Sequence, residues 1–175
     1  MPLPPPPTAP PPPAPDSHSS LSLQWPFLRG PLGLLRLGQL LLGAACWLTV
    51  AAHKYEGAAH FALFAAVLVW LLTLGLFGLS LLGRWVLVPV LGTRWLLTNT
   101  VHDLALGVGL LAAAAGIMGY KAESNSYCTL PNYRHHCSYQ AYLSAATCAG
   151  ITAALYLLSG LYCLARRCQG HRDIL

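Results

Sequence analysis

Four long apolar stretches, each separated from the next by a more polar segment, dominate the chain. They run over Pro31–His53, between Glu56 and Arg84, over Trp95–Gly119 and over about Tyr139–Ala165. A helix needs about 20 mostly apolar residues to cross the hydrocarbon core of a bilayer. The pattern therefore predicts an all-α membrane protein, a bundle of four transmembrane helices.

The segment before the first stretch has a different composition. Most of the chain's 14 Pro fall in its first residues, MPLPPPPTAPPPPAP. Pro lacks an N–H and fixes φ, so this tract favours polyproline II or disorder. We expect a disordered Pro-rich cytoplasmic tail over 1–24, a four-span domain over 25–168 and a cytoplasmic tail over 169–175. A solvated tail is favoured over a ligand for SH3 or WW domains, because the tract contains no Arg or Lys to orient an SH3 domain.

Composition and charge agree with a membrane protein. The 175 residues are 55% hydrophobic and 9% charged, whereas about a quarter of the residues in a soluble domain are charged. The net charge of +5 comes from basic residues scattered singly between apolar runs. Because they form no patch interleaved with aromatic residues, we expect no nucleic acid partner.

The basic residues also predict the orientation of the spans. Lys and Arg near span ends concentrate on the cytoplasmic side of a membrane. One side would carry Arg29, Arg36, Arg84, Arg94, Arg166, Arg167 and Arg172. The other side would carry Lys54, Lys121 and Arg134. This bias predicts that both termini are cytoplasmic.

The segment between the third and fourth spans contains "NYRHHCSYQ", which differs at Arg134 from the Asp-His-His-Cys signature of membrane protein acyltransferases. Those enzymes carry the signature on a cytosolic, Cys-rich, zinc-binding domain, whereas this loop is predicted to be extracytoplasmic. A zinc site would have to use Cys128, His135, His136 and Cys137. Adjacent residues rarely converge on one tetrahedral ion. We favour a Cys128–Cys137 disulfide, which an oxidising compartment permits, and we expect no catalytic residue, metal or other cofactor.

Ionisable residues within spans are costly unless they are paired or hydrated. The candidates are Arg36, His60, His102 and Asp103, which are too few for a continuous polar path. Arg36 and Asp103 have polar companions on the same helix faces, Gln39 and Asn99 respectively. We expect an intramembrane pair between Arg36 and Asp103; the alternative is that Arg36 reaches lipid phosphates while Asp103 is protonated or hydrated.

Two further features bear on partners. Cys163 and Cys168 flank Arg166 and Arg167, a suitable place for S-palmitoylation, with unmodified thiols as an equal alternative. Small residues recur at helix-packing spacing in Ala112 with Gly116 and in Ala146 with Gly150. We favour packing within the bundle over self-association for these pairs.

The first two spans resemble those of MARVEL domains, the tetraspan module of myelin-and-lymphocyte proteins, plasmolipin, synaptophysins and occludin. The resemblance lies in "LRLGQLLLGAACWLTVA" (Leu35–Ala51) and in "FALFAAVLVWLLTLGLF" (Phe61–Phe77). A short first loop, a longer second loop with two cysteines and cytoplasmic termini also resemble that family. The resemblance implies a non-enzymatic protein of cholesterol-rich membrane apposition, vesicle trafficking or junctions.

We therefore expect a multi-pass protein of the plasma membrane or vesicles that organises lipid microdomains, membrane apposition or trafficking. Its expected partners are membrane lipids, including cholesterol-rich ones, other membrane or trafficking proteins, and further copies of the chain. The alternative is an accessory subunit of a channel or transporter complex.

Overall fold

The computed structural model describes residues 24–53, 57–83, 94–129 and 138–170. These residues are helical apart from short turns and form no strand among themselves. The elements are α1 (Trp25–Arg29), α2 (Pro31–Ala52), α3 (Ala59–Leu81), α4 (Trp95–Val101), a π-helix (His102–Val108), α5 (Gly109–Ser124), a 3-10 helix (Ser126–Thr129) and α6 (Tyr139–Cys168). Four helical segments are long and apolar enough to cross a membrane: α2, α3, the continuous Trp95–Ser124 segment, and α6. The predicted four-span, all-α architecture is confirmed.

A tight turn separates α1 from the first span. Gly30 is extended, with φ −73° and ψ 160°, as is usual for a residue before Pro. Its N–H donates to the carbonyl of Pro26 at 3.1 Å. Gly30 is thus the C-cap of α1. Pro31 then begins α2, where the N–H that it lacks would have no helical partner. A Cβ on Gly33 would overlap the Phe27 carbonyl, so α1 folds closely against the first turn of α2.

The third span combines α4, the π-helix and α5 without a break. It continues past the predicted end at Gly119 to Ser124, and α6 likewise continues past Ala165 to Cys168. The π-helix was not predicted from the sequence. Its wider turn is rare and is often found at functional sites.

The four spans pack in a ring in which each contacts the span before and after it, and the fourth returns to the first. Small residues line the contacts: Ala114 and Ala145 share one cluster, while Ala66 and Ala149 share another. Gly43 leaves room for the ring of Trp70, whose Nε1 donates to the Leu40 carbonyl at 2.9 Å. The chain therefore runs up and down, and the start of α2 and the end of α6 lie at the same end of the bundle.

Large apolar side chains point away from the bundle. Leu34, Leu41, Phe64 and Leu158 are all exposed on the outer surface, as expected for helices that face lipid tails. Gly116 and Gly150 also face outward, and no described atom lies near the position that a Cβ would take on either. The prediction that these two glycines pack within the bundle is therefore wrong.

Candidate functional site

The centre of the bundle is polar, and Arg36 lies in the middle of it. This side chain is 1% exposed. Its Nη1 donates to Asp103 Oδ1 at 2.6 Å and to Gln39 Oε1 at 2.9 Å. Its Nη2 donates to Asn99 Oδ1 at 2.7 Å. The structure thus brings together the four polar residues that the sequence placed between the first and third spans.

Ser159 connects this group to the fourth span. Its hydroxyl donates to Asp103 Oδ2 at 2.6 Å and accepts a hydrogen bond from Gln39 Nε2 at 2.8 Å. Gln39 Nε2 also donates to the Leu155 carbonyl at 3.2 Å. Both carboxylate oxygens of Asp103 therefore have partners, one from the first span and one from the fourth.

His102 extends the network toward the second span. Its Nδ1 lies 2.9 Å from Asp103 Oδ1, within hydrogen-bonding distance. Its Nε2 lies 3.5 Å from the hydroxyl of Thr73, a weak contact. Thr73 in turn shares a short hydrogen bond with the hydroxyl of Tyr156 on the fourth span.

The polar network therefore includes residues from all four spans. Its members are Arg36, Gln39, Thr73, Asn99, His102, Asp103, Tyr156 and Ser159. None of these side chains is more than 5% exposed. We call this set the polar network below.

Two consecutive residues at the start of the π-helix both belong to this network. His102 and Asp103 open the π-helical segment, and both are buried. Later in the same segment, Gly107 packs against the Tyr156 ring, and Gly160 of the fourth span packs against Leu104. These two glycines allow the spans to approach closely beside the network.

The network can fix the four helices relative to one another, but it is closed to solvent. Arg36 and Asp103 within it are paired, and His102 with the amide and hydroxyl groups completes the hydrogen bonding. Among the described residues, no cluster of His, Cys, Asp and Glu is suited to a metal ion. Hydrogen bonds of the network join side chains that belong to different spans.

The structure separates the two cysteines proposed for palmitoylation. Cys163 is fully buried in a cluster with Phe27, Leu32 and Leu96, whereas Cys168 is exposed at the end of α6. An acyltransferase needs an accessible thiol, so Cys163 is a poor candidate and Cys168 remains one.

The predicted disulfide lies outside the part of the chain that the structure describes. Cys137 falls in the undescribed 130–137 segment, and Cys128 is described only as part of the 3-10 helix. The same segment contains His135 and His136. The Cys128–Cys137 bond therefore stays a prediction.

Sequence comparison identifies the family. The membrane-associating domain of the MARVEL family matches residues 27–162, a range that contains the whole polar network. The chain belongs to the MARVEL family. The resemblance seen in the first two spans is thereby confirmed. A MARVEL relative, MARVEL domain-containing protein 1 of Danio rerio, is 52% identical over 149 residues, which cover 85% of this chain and 91% of the relative. No solved structure matches this MARVEL chain.

Proposed function

We propose that this MARVEL protein is a non-enzymatic tetraspan that organises lipid microdomains, membrane apposition or vesicle trafficking. The observation that carries the proposal is the contrast between its centre and its surface. The polar network is internally paired and at most 5% exposed, while the outer faces of the spans present Leu, Phe and Ile to lipid. Such a molecule has a fixed internal structure and an outer surface suited to lipids and other helices.

The same contrast argues against an ion path through a single chain. Ionisable side chains that conduct ions line a water-filled cavity. Here Arg36 and Asp103 are 1% and 0% exposed and bond to each other. An open path would require this pair to separate, leaving two uncompensated charges within the bilayer.

A second candidate, an accessory subunit of a channel or transporter complex, is favoured by one feature of the outer surface. Gly109, Ala112 and Gly116 of α5 are exposed, and no described atom comes near the Cβ position of either glycine. Small residues on a lipid-facing surface allow the backbone of another transmembrane helix to approach closely. This ridge suits a partner helix, either from another protein or from a second copy of the chain.

We also infer that both termini are cytoplasmic, in the plasma membrane or vesicles. At the end of the bundle where α2 begins, the described basic residues are Arg29, Arg94, Arg166 and Arg167, against Lys121 at the other end. The positive-inside bias supports this orientation. Epitope tags placed singly at each terminus should be stained only after the plasma membrane is permeabilised. A terminal tag stained on intact cells would reverse the orientation.

Proximity labelling of the full-length protein in living cells tests the proposed role. The organiser role predicts neighbours from vesicle coats, junctions and lipid microdomains. This set should survive Gly116→Ile, which alters the α5 ridge. The accessory-subunit role predicts one channel or transporter complex that Gly116→Ile removes. Gly75→Ile is the matched control, because Gly75 is also exposed, with no described atom near its Cβ position, but lies on the second span.

Ion flux through liposomes containing the purified protein should equal that of protein-free liposomes.

A further inference from the structure

A cavity of about 330 Å³ lies at the end of the bundle where α2 begins and α6 ends. The turn between α1 and α2 forms one wall, with Pro26, Phe27, Pro31 and Leu32. The last turns of α6 form the other wall, with Tyr162 and Arg166. This terminal cavity is separate from the polar network, which lies deeper in the bundle.

The two walls differ in chemistry. The side contributed by α1 and α2 is apolar, apart from the backbone. The other side contributes the half-buried guanidinium of Arg166 and the amphipathic ring of Tyr162. A guanidinium has five N–H donors in a planar fork, so it can bind phosphate oxygens while it keeps another contact. The cavity therefore suits a ligand with an anionic head beside a hydrocarbon body.

The electrostatic setting favours an anion. Arg29, Arg94 and Arg167 are exposed at the same end. Of the two acidic side chains in the described residues, Asp103 is inside the polar network and Glu123 is at the opposite end of the bundle. Among the described residues, this end of the bundle therefore carries more cations than anions.

The depth of the cavity in the membrane indicates which kind of anion is available to bind. Arg166 lies in the last turn of the fourth span and Pro31 in the first turn of the first span, so the cavity is at the level of the lipid headgroups. Trp25, which adjoins Pro26, is 57% exposed, as expected of a Trp at the membrane interface. At this depth, the abundant molecules with a phosphate and a hydrocarbon body are phospholipids.

We propose that this cavity is a binding site for one anionic phospholipid, with its phosphate on Arg166 and its glycerol and first methylenes against the exposed rings of Pro26 and Pro31. The volume lies in the range of small-molecule sites and suits the headgroup and glycerol region of a lipid whose acyl chains continue along the outer surface. The site requires only that the protein lies in a membrane. It therefore stands or falls independently of the organising role proposed above.

Native mass spectrometry of the full-length protein in detergent can test the site. The protein is titrated with phosphatidylserine and with phosphatidylcholine of the same acyl chains, and the fraction of protein with one lipid bound is measured. Phosphatidylserine should bind more tightly, and Arg166→Gln should weaken its binding by about five- to tenfold, the effect of losing one well-placed cation. Arg167→Gln is the matched control: it removes the same charge one residue away, but from a side chain that does not line the cavity. It should change the affinity by less than about twofold.

Arg166→Lys should restore part of the affinity, because it keeps the charge but loses the planar fork. Equal losses in Arg166→Gln and Arg167→Gln would show diffuse attraction to a basic surface and would overturn the site, as would no loss in either. Displacement of the lipid by millimolar inorganic phosphate or glycerophosphoserine would show a phosphate site without lipid specificity, which also contradicts the proposal.

A second measurement uses only the unaltered protein, in case Arg166→Gln fails to fold. Phosphatidylserine with a photoreactive diazirine near the glycerol end of one acyl chain is crosslinked in nanodiscs, and the labelled peptides are mapped. The site predicts labels concentrated in residues 26–32 and around Tyr162. Labels spread evenly over the outer faces of all four spans would overturn it.

Discussion

Gly107 lies directly against the ring of Tyr156, so closely that a Cβ at residue 107 would overlap three atoms of that side chain. Tyr156 is 1% exposed, and its hydroxyl is held by Thr73 of the second span. It therefore has little freedom to move aside. The contact sets the distance between the third and fourth spans beside the polar network.

Gly107→Ala should destabilise the protein. Inserting one methyl group into a packed site commonly lowers the free energy of unfolding by about 1–3 kcal/mol. Because the Tyr156 ring cannot easily move aside, we expect a loss toward the upper end of this range. Gly116→Ala is the control, because the same substitution in open space within α5 should be neutral or stabilising by up to about 1 kcal/mol. Thermal unfolding in detergent, followed by size-exclusion chromatography, measures both. Equal melting temperatures for the two variants would contradict the tight contact.

Arg36 and Asp103 should depend on each other for stability. Asp103→Leu leaves a buried guanidinium without its anion, and Arg36→Met leaves a buried carboxylate without its cation; each should cost about 3–5 kcal/mol. The double variant should be more stable than the sum of the two losses predicts, because neither charge is then buried alone. Unfolding of all four proteins in one detergent gives the coupling energy. Additive losses would show that the 2.6 Å contact contributes little.

Ser159→Ala removes the hydroxyl that joins Gln39 to Asp103. Both partners are fully buried, so their lost hydrogen bonds cannot be replaced by water. We expect a loss of about 1–3 kcal/mol. Ser144→Ala is the matched control on the same helix, since Ser144 is exposed and, among the described residues, bonds to the Ala141 carbonyl of its own helix. It should stay within about 0.5 kcal/mol of the parent protein. Similar losses in the two variants would argue against a bridging role for Ser159.

The four spans, and the grouping of Arg36 with Gln39, Asn99 and Asp103, could be predicted from the sequence. Both follow from the large free-energy cost of placing polar or charged groups in the hydrocarbon of a bilayer. An apolar run of membrane length and a charge within it are visible without coordinates. Ser159 and Thr73 were missed because a hydroxyl in a span also bonds readily to its own helix, as Thr73 does with the Val69 carbonyl. Their hydrogen bonds to other spans can be known only once it is known which helices are neighbours.

The π-helix was hidden for a similar reason. Nothing in "HDLALGV" excludes an ordinary α-helix, and the tertiary contacts of this segment, such as those of Asp103 with Arg36 and Ser159, depend on which spans become neighbours. Outward-facing Gly116 and Gly150 were assigned to the interior because spacing alone does not tell which side of a helix a neighbour occupies. For these features, the deciding information is the arrangement of the spans around the ring.

The Cys128–Cys137 disulfide remains a prediction about the loop between the third and fourth spans. Proteolytic mapping under non-reducing conditions, after free thiols have been alkylated in intact cells, should recover the two residues in one crosslinked peptide. Removing one of them should cost about 2–4 kcal/mol if the bond acts mainly by constraining the unfolded loop. The buried Cys46 serves as an internal control that should be recovered as a free thiol. Recovery of Cys128 and Cys137 as free thiols would show the pairing to be wrong.

S-acylation, if it occurs at this end of the chain, should be confined to Cys168. The enzyme must reach the sulfur, and Cys168 is exposed in the last turn of α6 beside the exposed Arg167. Cys163 is one turn deeper and has 0% exposure, so its modification would require α6 to separate from Leu32 and Leu96. Acyl-exchange labelling in cells should show one modified site that Cys168→Ser abolishes and Cys163→Ala preserves. Loss of the label in Cys163→Ala, with Cys168→Ser still labelled, would mean that α6 opens in the membrane, and it would contradict the packing of the terminal cluster.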